Sequence, residues 1–123
     1  MNKAIILFAH GSRDPQWAEP LRFLQARVSA LQPQTHVIVA FLELMQPNLQ
    51  EAVAVAVAEG AKSVTIVPAF LAAGGHIKSD LPRLVDAVAL AHPQLTFRIL
   101  PPLGESEAVL QAIATWIDNS TAD

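Results

Sequence analysis

The chain has no cysteine, which rules out disulfides, thiolate metal ligands and iron–sulfur clusters; any metal it handles is held by nitrogen or oxygen. No apolar stretch reaches the ~18 residues of a transmembrane helix. The Met1-Asn2-Lys3 start followed by Ala4–Ala9 is too short for a secretory signal, and no small-residue cleavage site follows it, so the expected location is the cytoplasm. Basic residues are few and scattered: eight Lys and Arg against eleven Asp and Glu, a net charge of −3 and no basic run. That balance disfavours nucleic acid as the main partner, although a local basic rim around a site for a small anion remains compatible with it. The chain also lacks G-x-G-x-x-G, a Walker-type loop and the elbow G-x-S-x-G. These absences disfavour a phosphate-binding loop and a serine hydrolase built on Ser12, which stands beside His10.

What is present is an alternation of short apolar runs and amphipathic segments over 123 residues, 52% of them hydrophobic, enough for one domain spanning 1–123. Ala4–Phe8 reads as a first strand. Pro15–Leu31 carries Trp17, Leu21, Leu24, Val28 and Leu31 at spacings of three and four, an amphipathic helix with Asp14 as N-cap and Pro33 as stop. His36–Leu42 is a second strand. Pro47–Glu59 fits strand or helix by pattern, and its length and alanine content favour a helix ending at Gly60. Ser63–Pro68 is a third strand, followed by a Gly74-Gly75 loop. Ser79 or Asp80 opens a third helix that runs to about Ala91. Leu95–Leu100 is the fourth strand and Glu105–Ile117 the fourth helix, with Val109, Leu110, Ile113 and Trp116 expected to pack on the sheet. The similar segments Leu31-Gln32-Pro33-Gln34 and Ala91-His92-Pro93-Gln94 fit shared helix-stop chemistry better than a duplicated half-domain.

Four successive βα units predict a three-layer α/β/α domain of flavodoxin-like type, with a four-stranded parallel sheet of order 2-1-3-4 and right-handed crossovers. That order gathers the carboxyl ends of the first three strands, the edge where open α/β sheets bind ligands. His10 follows the first strand in Ala9-His10-Gly11-Ser12-Arg13. Glu43 follows the second. His76 follows the third in Gly74-Gly75-His76-Ile77-Lys78-Ser79-Asp80. Two imidazoles and a carboxylate suit Co²⁺, Ni²⁺, Fe²⁺ or Zn²⁺ with coordination positions left open, and neutral imidazole also accepts protons near neutral pH. Each residue has a plainer reading: the histidines as hydrogen-bonded loop residues, Glu43 as a cap or a solvated charge. Arg13, Lys78 and Arg83 flank the histidine loops and can pair with carboxylates of an anionic ligand, or be ordinary solvated charge. Trp17 and Pro20 are either core or the wall of an aromatic-friendly cleft. His92, at the end of the third helix, and His36, at the opposite edge of the sheet, fit structural roles.

Three segments resemble the class II chelatases, specifically the small single-domain sirohydrochlorin cobaltochelatases, relatives of the siroheme ferrochelatases. They are Leu7-Phe8-Ala9-His10-Gly11-Ser12-Arg13, then Phe41-Leu42-Glu43 with Pro47-Asn48-Leu49, and Val67–Leu71 leading into Gly75-His76-Ile77-Lys78-Ser79-Asp80-Leu81-Pro82. The likeness covers most of residues 5–82. It implies a chelatase-like half-domain that inserts a divalent metal, Co²⁺ foremost, into sirohydrochlorin without ATP or any nucleotide, for cobalamin-type biosynthesis. By the same resemblance His10 and His76 bind the metal and accept the pyrrole N–H protons, and Glu43 is a further ligand. Arg13, Lys78 and Arg83 would meet the carboxylates of the tetrapyrrole. Longer relatives face two such domains across a cleft, so a homodimer is implied, with no nucleic acid or membrane partner. The rival readings are a ferrochelatase for siroheme, a nickelochelatase, a non-catalytic metal or tetrapyrrole carrier, and a flavodoxin-like nucleotide binder.

Overall fold

The structure, a computed structural model, describes residues 2–72 and 74–122, and of Gly75 and His76 the backbone only. Strands β1 (Lys3–Ala9), β2 (His36–Phe41), β3 (Ser63–Pro68) and β4 (Thr96–Ile99) form one parallel sheet in the order β2-β1-β3-β4, the expected order. Phe8 stands opposite Ala40 on one side and Pro68 on the other, so β2, β1 and β3 end level with one another. Helices α1 (Glu19–Leu31), α2 (Leu49–Ala58), α3 (Gly75–Ala91) and α4 (Glu107–Thr121) follow the strands.

Local chemistry sets the helix starts. The Asp14 carboxylate accepts the Gln16 N–H at 3.0 Å and opens a 3-10 turn, Pro15–Ala18, that runs into α1. Asn48 and Glu51 form a reciprocal capping box at the head of α2, at 2.8 and 3.0 Å, which satisfies two amides that the first turn leaves free. The Ala/Val-rich α2 buries Ala52, Val53 and Ala56 completely, so it lies close against the sheet.

The two faces of the sheet are covered to different extents. Ile6, Phe8, Val64 and Ile66 point to one face and are buried under α2 and α3 with Leu81 and Val85. Leu7, Ala9, Val37, Val39 and Phe41 point to the other and are buried with Ala18, under Leu21, Leu24 and Val28 of α1. Along β3 burial alternates strictly: Val64, Ile66 and Pro68 are buried, while Ser63, Thr65 and Val67 are half-buried. The α1 side is therefore covered over β2 and β1 and open over β3 and β4.

Strand ends shift by a residue or so and the first helix starts with a 3-10 turn, Pro15–Ala18; two further differences matter more for the site. First, α3 begins at Gly75, a turn before Ser79, so His76 lies in the first turn of a helix rather than in a loop. The glycine pair reads as a loop in sequence, yet the Gly74 carbonyl accepts the N–H groups of Ile77 (3.1 Å) and Lys78 (3.3 Å) and closes that turn with no side-chain cap. Pro82 is accommodated inside the helix, where it has no N–H to give to the carbonyl one turn back. Second, the last helix starts at Glu107 after a 3-10 turn, Leu103–Glu105, and it does not pack on the sheet as expected. No residue of α4 is buried, and Trp116 is 67% exposed. A Cβ on Gly104 would sit 1.5 Å from the Leu71 carbonyl oxygen, so the 3-10 turn is seated tightly on the loop after β3 and launches α4 away from the sheet.

His36 and His92 take the structural roles expected of them. His36 Nδ1 lies 3.2 Å from Glu59 Oε2, and His92 is the C-cap of α3. Gln32 and His92 end α1 and α3 in nearly the same backbone conformation, and each carbonyl accepts the N–H three residues on at 3.0 Å, which accounts for the two similar segments. Among the described residues no helix is long and apolar enough to cross a membrane.

Candidate metal-handling site

The level strand ends bring the βα connections of β1, β2 and β3 to one edge. His10 is the first residue past β1 and is exposed. Its position is set by main-chain bonds that continue the β1–β2 pairing beyond the strands: Leu42 N–H donates to the Ala9 carbonyl at 2.8 Å, and Glu43 N–H to the His10 carbonyl at 3.0 Å. Gly11 has φ +99°, and a Cβ there would lie 1.8 Å from the Glu43 carbonyl oxygen, so only glycine lets the two loops meet. The chain then folds sharply. Met45 N–H donates to the Glu43 carbonyl at 2.8 Å, Leu44 takes φ +67°, and the Pro47 carbonyl accepts the Phe41 N–H at 2.9 Å. Glu43 is thereby held, exposed, on the same edge as His10. The Ser12 hydroxyl accepts the Asp14 N–H at 3.1 Å and so serves the turn into α1.

Phe70 completes the wall beside His10. Ala69 N–H donates to the Phe8 carbonyl at 2.7 Å, and the Phe70 ring lies 5.0 Å from the imidazole at an interplanar angle of 42°. Sequence reasoning gave Phe70 no role; the signal that could have found it is an aromatic residue two positions past the end of β3. From Phe70 a pocket of 370 Å³ runs between α3 and the end of β4, floored by Leu81, Ile99 and Pro102. Lys78 Nζ and Glu105 Oε2, also among its lining residues, pair at 3.0 Å. Leu42, Leu44 and Leu71 add an exposed apolar rim, and Trp17, 40% exposed with its ring 6.4 Å from that of the buried Phe41, is not core.

Of the residues singled out in the sequence, His10, Glu43 and Arg13 share this edge, and α3 starts at it. The His76 side chain lies outside the described residues. Arg83 is exposed on α3, and Lys78 already has a carboxylate partner. Among the described residues no three His, Asp or Glu side chains gather as a metal-binding group. What the described residues offer is an accessible imidazole and a carboxylate on main-chain-fixed corners beside an aromatic ring, a donor set suited to divalent transition metals.

Fold and edge together define a parallel α/β protein that presents imidazole and carboxylate from its βα loops. The chain belongs to the CbiX family, whose model matches residues 4–120. It is 29% identical over 118 residues to a sirohydrochlorin cobaltochelatase of Priestia megaterium, covering 96% of this chain and 38% of that protein. It is 30% identical over 114 residues to a sirohydrochlorin ferrochelatase of Bacillus subtilis, covering 92% of this chain and 43% of that protein. A crystal structure described as a cobalamin (vitamin B12) biosynthesis CbiX protein from Marinobacter aquaeolei VT8 superposes with a TM-score of 0.83 at 32% identity, over 96% of both chains. The chain spans less than two thirds of the length of the first curated relatives it matches.

Proposed function

We propose that this chain is an ATP-independent chelatase that inserts a divalent metal ion, Co²⁺ foremost, into sirohydrochlorin, and that it works in the cytoplasm as a homodimer whose two copies share the cleft. The observation that carries the reading is His10: exposed, fixed by main-chain bonds, and seated against Phe70 on the ligand-binding edge of a CbiX-family fold. His10 and His76 take up the metal substrate, with Glu43 as a further oxygen donor. As metal–nitrogen bonds form, the pyrrole N–H protons pass to imidazole, which is suited to carry them near neutral pH. Phe70 and the apolar rim of Leu42, Leu44 and Leu71 offer the macrocycle a flat, water-poor contact. Arg13, Lys78 and Arg83 pair with its carboxylates. Lys78 does so by exchanging Glu105 for substrate, which costs little because both partners are about half exposed.

A second reading keeps the chemistry and changes the ion. The likeness to the Bacillus subtilis ferrochelatase favours Fe²⁺, and two histidines with a carboxylate serve Co²⁺, Fe²⁺ and Ni²⁺ alike. The test is anaerobic insertion of each ion into sirohydrochlorin, followed by visible spectroscopy against protein-free controls. His10→Ala and His76→Ala should each lower turnover by about a hundredfold or more, with thermal unfolding little changed. Full activity in both variants overturns the assignment, stoichiometric binding without turnover makes the protein a carrier, and the relative rates identify the metal.

A further inference from the structure

Main-chain bonds fix where the His10 side chain begins, but they leave its χ1 and χ2 torsions free. The imidazole meets the Phe70 ring, with centroids 5.0 Å apart and planes at 42°. That ring is placed by the residues on either side of it. Ala69 donates its N–H to the Phe8 carbonyl at 2.7 Å, and the Leu71 carbonyl lies so near Gly104 that a Cβ there would be 1.5 Å from its oxygen. Phe70 thus hangs from a main chain pinned before and after it, is half-buried, and packs against the α2/α3 core. It shares a pocket wall with Ile77 and Leu81 of α3, the helix whose first turn contains His76. We infer that Phe70 is a positioning residue of the metal site: it holds the His10 imidazole in the orientation that receives the metal, and it spaces the β1 corner from the head of α3.

This role presupposes that His10 is a metal donor, as proposed above. An exposed imidazole samples several rotamers, and ligation costs it that freedom. A ring contact made before the metal arrives removes part of the loss in advance, so binding gains by the worth of one aromatic pair, about three- to tenfold. Phe70 borders a pocket of 370 Å³, so a side chain without the ring leaves the imidazole with no firm flank on that side. A ring that served solely as a wall for the macrocycle would behave differently. Its loss would raise KM for the tetrapyrrole and leave Co²⁺ binding to the free protein untouched.

The experiment begins with the unaltered full chain, free of metal, in solution NMR. The chain has four histidines, and the His10 signals are identified by their loss in His10→Ala. A nuclear Overhauser contact between the His10 and Phe70 ring protons is expected, with a ring-current displacement of the His10 signals. Absence of the contact overturns the proposal before any change is made at Phe70. Phe70→Leu keeps an apolar side chain and removes the ring. It should abolish the displacement, weaken Co²⁺ binding in the absence of tetrapyrrole by about three- to tenfold, and lower kcat for insertion with KM for sirohydrochlorin changed less. Phe70→Tyr, which keeps the ring, should restore most of the displacement and of the Co²⁺ affinity. A Phe70→Leu chain that binds Co²⁺ as tightly as the unaltered one overturns the proposal, as does a rise in KM alone, which would leave Phe70 a wall and nothing more. Co²⁺ binding that His10→Ala leaves unchanged would sink the reading of His10 as donor and the proposal with it, a failure recognisable because it appears with Phe70 in place.

Discussion

Neighbouring residues of one strand lead different lives in this protein. Val64 and Ile66 are sealed under α2 and α3, while Ser63, Thr65 and Val67, alternating with them along β3, face a half-open groove. The α2/α3 face supplies a closed core, whereas the α1 face leaves its surface over β3 and β4 uncovered. The first comparison to test is therefore between adjacent positions. Ile66→Ala should cost about 2–5 kcal/mol in urea unfolding of dilute protein, because it opens a cavity in a closed core. Thr65→Ala should stay within about 0.5 kcal/mol under the same conditions. Equal losses would break the distinction between the faces.

A smaller effect on stability, but a larger one on chemistry, is expected at Gly11. Gly11→Ala places a methyl group against the Glu43 carbonyl at an unfavourable φ, a strain of about 1–3 kcal/mol, and relief moves the His10 corner. Metal insertion per folded molecule should fall toward that of His10→Ala, whereas Ile66→Ala should leave it unchanged in the molecules that remain folded. The smallest effect belongs to Glu105→Gln. Removing an exposed ion pair should change stability by about 0.2–1 kcal/mol, and freeing Lys78 should lower KM for the polycarboxylate with kcat unaltered. A stability loss above that range would mean that the pair, rather than the Gly104 contact, anchors the turn before α4.

Most of this fold is legible in the sequence. The run Ser63–Pro68 is apolar and bounded by turn residues, and it is β3 to the residue. Pairing His10 with Glu43 on one edge needed only the strand order, because these parallel neighbours end in register, Ala9 opposite Phe41. What escaped reading has physical causes. The head of α3 is capped by glycine, which bonds through its main chain and leaves no side-chain signature, so Ser79 and Asp80 looked like the start. The apolar stripe on α4 is legible, but amphipathicity carries no address and does not say that the helix stays off the sheet. Phe70 lay in a recognisable segment, yet its contact with His10 depends on how the loop after β3 turns, which a hydrogen bond from Ala69 to Phe8 decides.

The bonds that hold the His10 corner have a consequence for heat. Since Ala9 and His10 are paired to Leu42 and Glu43 by main-chain bonds that extend the β1–β2 ladder, the corner has no joint at which it can loosen ahead of the sheet. Warming should therefore leave the geometry around the imidazole intact until the strands themselves part, so that inactivation and melting fall at one temperature.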